Sequence, residues 1–194
     1  MNNYENIRDY ITAKAGEIPE EDWVLYEENL VASEAKKGDV ILQYGEPCLT
    51  IWHMTRGAVR KTEMNNGISN TTHFYTAPMV FTVLQSALNR SPSELSIICE
   101  EDCSFLELPY DKIQVLFDRS HYAERIGRRI VEDEFLDEFE MRRMFLKMDA
   151  LERYEYMEKH RADVLNRFQL KDVATFLGIT PESLSRLRKT RFSN

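Results

Sequence analysis

The stretch Leu170 to Lys189, LKDVATFLGITPESLSRLRK, admits very few folds. A single continuous helix is excluded, because Gly178 readily takes the left-handed backbone that ends a helix and Thr180-Pro181 signals a new start. Thr180 suits an N-cap, and Pro181 suits the first helical position, where its missing N–H needs no partner. Glu182 then favours the positive end of the new helix dipole. Val173 and Leu177 before the turn, with Leu184 and Leu187 after it, are spaced to bury one shared face. Ala174 lets the two helices cross closely and Ile179 plugs the turn. The spacing predicts a helix-turn-helix.

Burying that face leaves a second one. Glu182, Ser185, Arg186 and Lys189 recur at helical spacing opposite Leu184 and Leu187, flanked by Pro181, Ser183 and Arg188. An arginine can give two hydrogen bonds to a guanine edge, and a carboxylate can accept from a cytosine amino group. Serine, lysine and helix N-terminal amides can hold phosphates. Thr180, Pro181, Glu182, Ser183, Ser185, Arg186, Arg188 and Lys189 are therefore the candidate DNA-binding residues, with Arg191 a further candidate for phosphate. The competing reading is a helical hairpin whose polar face is merely solvated.

Charge is distributed to match. The net charge of −8 argues against nucleic-acid binding over the whole surface. Residues 159–194, however, hold eight Lys or Arg against three acids, a balance of +5 that leaves −13 on the first 158 residues. A small basic tail on an acidic body confines any DNA contact to the tail. At 43% apolar residues the 194-residue chain has material for one large domain or two modest ones. The N-terminus MNNYENIRDY lacks the apolar core of a targeting signal. The longest mostly apolar run, Ala77 to Leu88, is too short to span a bilayer, so no membrane partner is expected and a cytoplasmic location is. Cys48, Cys99 and Cys103 have no metal-ligand spacing; they read as buried thiols, with Cys99 and Cys103 on one face of a strand.

The periodicity changes along the chain. From Tyr4 to Ala32 it is helical, with Gly16 and Pro19 separating two short helices. Between Lys36 and Leu108 it becomes that of short strands broken by Gly38, Gly45, Gly57 and Gly67, the pattern of an antiparallel barrel or jelly roll. Asn65, Asn66 and Gly67 signal a hairpin, so strands around Ala58 to Lys61 and Thr71 to Tyr75 should pair. A second strand group, Leu95 to Cys99 and Ser104 to Leu108, turns at Glu101 and Asp102. Between these groups Ala77 to Leu88 is expected as a short buried helix, and Tyr110 to Phe117 as a helix closing the roll. A long helix then runs from His121 to Met148. Its apolar stripe (Tyr122, Ile126, Ile130, Val131, Phe135, Phe139, Leu146) is wide enough to need burial on two sides. Asp149 to Asn166 reads as one more helix, leading to a strand at Phe168.

The run KKGDVILQYGE with TRGAVRK, a short helix and two strands ending in FLELP resembles the β-roll of the cyclic nucleotide-binding domain. Joined to a long helix and TPESLSR, the whole resembles the Crp/Fnr superfamily of bacterial transcription regulators. Its most specific pieces are Gly38-Asp39, Gly45-Glu46, Gly57 and the second helix, where Glu182 and Arg186 occupy the family's base-reading positions. The resemblance implies an α+β chain: an N-terminal antiparallel β-roll or jelly roll with flanking helices, a long dimerisation helix and a small C-terminal helix-turn-helix domain. The expected divisions are a sensor domain at 1–118, the dimerisation helix at 119–148 and the DNA-binding domain at 149–194. The implied partners are double-stranded DNA and a second copy of the chain in a homodimer, with RNA polymerase a further candidate.

One departure from the family bears on the effector. Members that bind cyclic AMP place Gly-Glu at the start of the short helix and an Arg shortly afterwards to neutralise the phosphate. Here Pro78 or Met79 stands at the Glu and Ser93 or a neighbour at the Arg, with Glu94 adding negative charge. A phosphate buried without a cation and beside a carboxylate is strongly disfavoured. Cyclic AMP is therefore not the expected effector, and Met79, Val80, Arg90 and Ser93 are the pocket residues to examine. The alternative function is a β-roll module for a small molecule or a protein, with vestigial DNA binding. A barrel enzyme of the cupin type is disfavoured: His53, His73, His121 and His160 form no HxH pair, and no nucleophile or phosphate-loop motif is present. No catalytic residue, metal site or cofactor is expected.

Overall fold

The computed structural model describes residues 3–65 and 67–192, so Asn66 of the expected hairpin and the side chain of Arg191 lie outside the described residues. Two helices, α1 (Asn3–Ala15) and α2 (Glu20–Glu27), precede the strands β1 (Val31–Ala35), β2 (Val40–Leu42), β3 (Thr50–Arg56), β4 (Ala58–Asn65), β5 (Ile68–Thr76) and β6 (Met79–Phe81). A short α3 (Leu84–Asn89) leads to β7 (Leu95–Cys99) and β8 (Cys103–Pro109). A 3₁₀ turn and α4 (Ile113–Arg119) follow. The chain continues through α5 (His121–Lys147), α6 (Ala150–His160), α7 (Ala162–Arg167), α8 (Leu170–Phe176) and α9 (Pro181–Phe192).

Eight strands form two antiparallel four-stranded sheets, ordered β1-β8-β3-β6 and β2-β7-β4-β5. The expected hairpin is present: Val59 faces Tyr75 and Lys61 faces His73. Strand alternation then decides which core each side chain joins. Tyr75, Phe81, Phe105, Trp52 and Ile97 point between the sheets. Trp52 stacks on Phe81 at 5.7 Å, and Phe81 on Tyr75 at 5.0 Å, so aromatic rings fill the roll. Leu106 and Leu108, out of phase with Phe105, leave by the back of the first sheet and pack with Ile7, Ile11, Trp23, Leu116 and Ile126. In that layer the His53 Nδ1–H donates to Leu106 O at 3.0 Å, which leaves Nε2 to accept the Tyr26 hydroxyl at 2.7 Å. Burial pushes the His53 imidazole down to about 4, so it stays neutral in the core.

Phe74, out of phase with Tyr75, leaves by the back of the second sheet. There it joins Ala58, Met144, Met157, Phe168, Val173, Phe176 and Leu184 in a third core shared with the C-terminal helices. The helices begin on local caps. Ser120 accepts from the Ala123 N–H at 3.0 Å to start α5, and Asp149 with Glu152 closes a capping box on α6. Gly127 lets α4 approach α5, since a Cβ there would lie 2.6 Å from the Phe117 ring. Among the described residues no helix is long and apolar enough to cross a membrane.

Several expectations fail where distant contacts prevail over local pattern. Val31 and Ala32, at the end of the helical periodicity, pair with Glu107 and Leu106 as part of β1. Ala77 to Leu88 is strand first and helix only from Leu84, because Met79 to Phe81 pair with β3. Asp149 to Asn166 is two helices, broken at Arg161, whose Nη2 donates to Phe74 O at 2.8 Å. Phe168 forms no strand; it and Gln169 are extended between α7 and α8, and its ring lies on Phe74 at 4.5 Å. Cys99 and Cys103 share no strand face. They are buried free thiols on β7 and β8, in opposite sheets.

Candidate nucleic-acid interface

The C-terminal helix pair is built by hydrogen bonds that span no more than five residues. At the end of α8 the Gly178 N–H donates to Thr175 O at 3.1 Å and the Ile179 N–H to Ala174 O at 3.0 Å. Together these form a Schellman motif around Gly178, whose φ of +70° puts it in the left-handed region. Thr180 then caps α9, its Oγ1 accepting from the Ser183 N–H at 3.2 Å. Val173, Ala174, Leu177 and Leu184 are wholly buried, while Leu187 is half-buried.

The opposite face is presented as the spacing requires. Pro181, Glu182, Ser185, Arg186 and Lys189 are exposed, and so is Thr180. Glu182 curls back on its own amide. That N–H first, and the Thr180 hydroxyl second, hold its carboxyl below the usual range. Arg188 departs from expectation: it is half-buried beside Tyr154 on α6, and its Nε is buried without a hydrogen-bond partner. Helical phase places it a quarter-turn towards the core, which removes it from the exposed set. Ser183 is likewise half-buried.

Sequence reasoning missed what ties this helix pair to the roll. Arg60 on β4 sits opposite Phe74 in the register and so shares its outward face. Its Nε donates to Glu100 at 2.5 Å, and its Nη1 lies 3.7 Å from Asp172 of α8. The three side chains are 13%, 7% and 9% exposed, so the charges are desolvated. Burial pushes the Asp172 carboxyl up, Arg60 pulls it down and Glu100 adds to the rise; the net shift is upward. Arg167 grips Glu101 through two bonds of 2.7 and 2.8 Å and donates to Gly57 O at 2.9 Å. The available signal was an arginine in a strand at the phase of a large aromatic neighbour, hence on a face other than solvent.

The four effector candidates are not brought together. Met79 and Val80 line a cleft of about 290 Å³ between β5, β6, α1, α5 and α6. Arg90 is exposed at the end of α3 with φ of +50°, and Ser93 is buried with its hydroxyl donating to Leu95 O at 2.8 Å. Neither lines the cleft. Carboxylates on α5 do: Asp133 pairs with Lys14, Glu134 with Lys61 at 3.3 Å and Glu138 with His73 at 2.5 Å. This lining is unsuited to an anion.

Residues 32–120 match the cyclic nucleotide-binding domain family. Similar solved structures cover most of the chain. FixK2 from Bradyrhizobium japonicum has a TM-score of 0.70 at 15% identity, covering 84% of this chain and 85% of its own. A CooA mutant from Carboxydothermus hydrogenoformans has 0.69 at 14%, covering 85% and 77%. The c-di-GMP responsive global regulator CLP of Xanthomonas campestris has 0.69 at 14%, covering 90% and 92%. No curated protein matches in sequence. Residues 32–120 thus match the cyclic nucleotide-binding domain family, and the chain carries the fold of the Crp/Fnr family regulators that its motifs resemble.

Proposed function

We propose that the protein is a dimeric, sequence-specific DNA-binding transcription regulator of the Crp/Fnr type, with a sensor at residues 1–118, a dimerisation helix at 119–148 and a reading domain at 149–194. The observation that carries this is α9 itself. Its start is capped by Thr180, one face is anchored by Leu184, and Glu182, Ser185, Arg186 and Lys189 are left exposed together. The reading implies a cytoplasmic protein and RNA polymerase as a further partner.

Selection of bound duplexes from a random pool tests it. An inverted repeat with half-sites about one helical turn apart is expected. Arg186→Ala should cost about 1 to 3 kcal/mol and relax preference at one base pair per half-site. Lys189→Ala should weaken all duplexes nearly equally and lower the salt slope by about one. If Arg186→Ala binds the selected site as tightly as wild type with unchanged preference, the assigned reading face is wrong.

The sensor in this reading does not take cyclic AMP. Phe81 and its stacked neighbours occupy the roll interior, Ser93 spends its hydroxyl on Leu95, and the nearby cleft is lined with carboxylates. Calorimetry with millimolar cyclic AMP should show no saturable heat; saturation in the micromolar range overturns this.

A further inference from the structure

Resting on the DNA-reading assignment of α9, we infer that Ser183 is a positioning residue that sets the direction of Arg186 for base recognition. Arg186 Nη2 donates to Ser183 Oγ at 3.2 Å. The same Oγ accepts the Thr180 hydroxyl at 3.1 Å, while the Ser183 N–H donates to Thr180 Oγ1 at 3.2 Å. Ser183 is therefore held at two points by the residue that caps the helix, and Arg186 is held by Ser183. The bond runs from position i to i−3, so it draws the guanidinium towards the N-terminal end of α9. That is the end of a recognition helix whose residues meet base edges.

The partner's chemistry matters as much as its place. Glu182, one helical turn before Arg186, is hydrogen-bonded to its own amide and to Thr180 and attracts the guanidinium only through space. The guanidinium is oriented by a neutral hydroxyl, which takes one of its five N–H groups. A flexible arginine must lose rotamer freedom to place two hydrogen bonds on a guanine edge. One already directed loses less, and the gain appears in affinity for the correct site.

The test uses the full chain and the duplex selected by wild type, measured against a scrambled duplex at several salt concentrations. Ser183→Ala should lower the ratio of specific to scrambled affinity by about three- to tenfold, the range of one hydrogen bond. The loss should fall on the same base pair that Arg186→Ala relaxes. In an Arg186→Ala background, Ser183→Ala should produce no further loss of discrimination. Ser183→Thr, which keeps the hydroxyl, should restore it. A purely structural serine would instead lower affinity for both duplexes in proportion and would act equally in the Arg186→Ala background, and that result overturns the proposal. Should wild type select no duplex at all, the reading of α9 falls first. Should Arg186→Ala relax one base pair and Ser183→Ala leave it untouched, only the positioning role falls.

Discussion

The Arg60→Ala variant is expected to unfold with a free energy about 3 to 5 kcal/mol below wild type at neutral pH, the range for removing one partner of a buried ion pair. The substitution leaves Glu100 and Asp172, 7% and 9% exposed, without their shared cation. Urea denaturation measures it, provided the slope with denaturant is unchanged. The pH dependence has a definite sign. The Asp172 carboxyl is raised in the folded chain, chiefly by burial, so its contribution to stability is fully present at low pH and is lost as pH rises through the folded pKa. Asp172→Asn should flatten that decline and leave the chain more stable than wild type at neutral pH. In Arg60→Ala, the deficit should shrink on acidification as the Asp172 carboxylate takes up a proton. An Arg60→Ala protein within about 1 kcal/mol of wild type would mean that the contact between roll and helix pair is too wet to matter.

The second large effect concerns α5. One of its faces is buried through Ala123, Ile126 and Met144, yet Phe135, Phe139 and Leu146 on another stripe are 68%, 53% and 74% exposed in the single chain. Burying one large apolar side chain is worth about 1.5 to 3 kcal/mol. A two-fold interface buries each residue twice, because the same surface is used by both copies. Phe135→Glu with Phe139→Glu should therefore cost several kcal/mol, and the dissociation constant should rise more than about a hundredfold. Sedimentation at micromolar concentration should give twice the chain mass of 22.9 kDa for wild type and the single mass for the variant. A monomeric wild type defeats the proposed dimer.

Much of the fold was legible because its signals were local. The glycines at 38, 45, 57 and 67 do take positive φ, and the helix expected from His121 ends within a residue of its predicted limit. Errors gathered where the decisive partner was remote. Val31 looks helical by its neighbours but meets Glu107, and Met79 belongs to a strand only because Met54 lies opposite. Nothing near Arg161 announces a break that depends on the carbonyl of Phe74. The exposed face of α9 was legible except at Ser183 and Arg188, and the place of Arg188 beside Tyr154 needs α6 to be packed first.

The sequence by itself determined the helix pair. Its stop at Gly178, its cap at Thr180, its buried Leu184 and its exposed Arg186 follow from contacts within one or two turns, where backbone geometry leaves few choices. Only the tertiary structure decided where that pair sits. Phe74 points at α8 and Tyr75 into the roll because the strands pair in one register, and a slip of one residue would exchange them. The same register turns Arg60 outward to Asp172, a residue 112 positions away. Contacts at such separations leave no periodic trace in the chain, since each requires both elements to be folded and placed before either side chain has a partner.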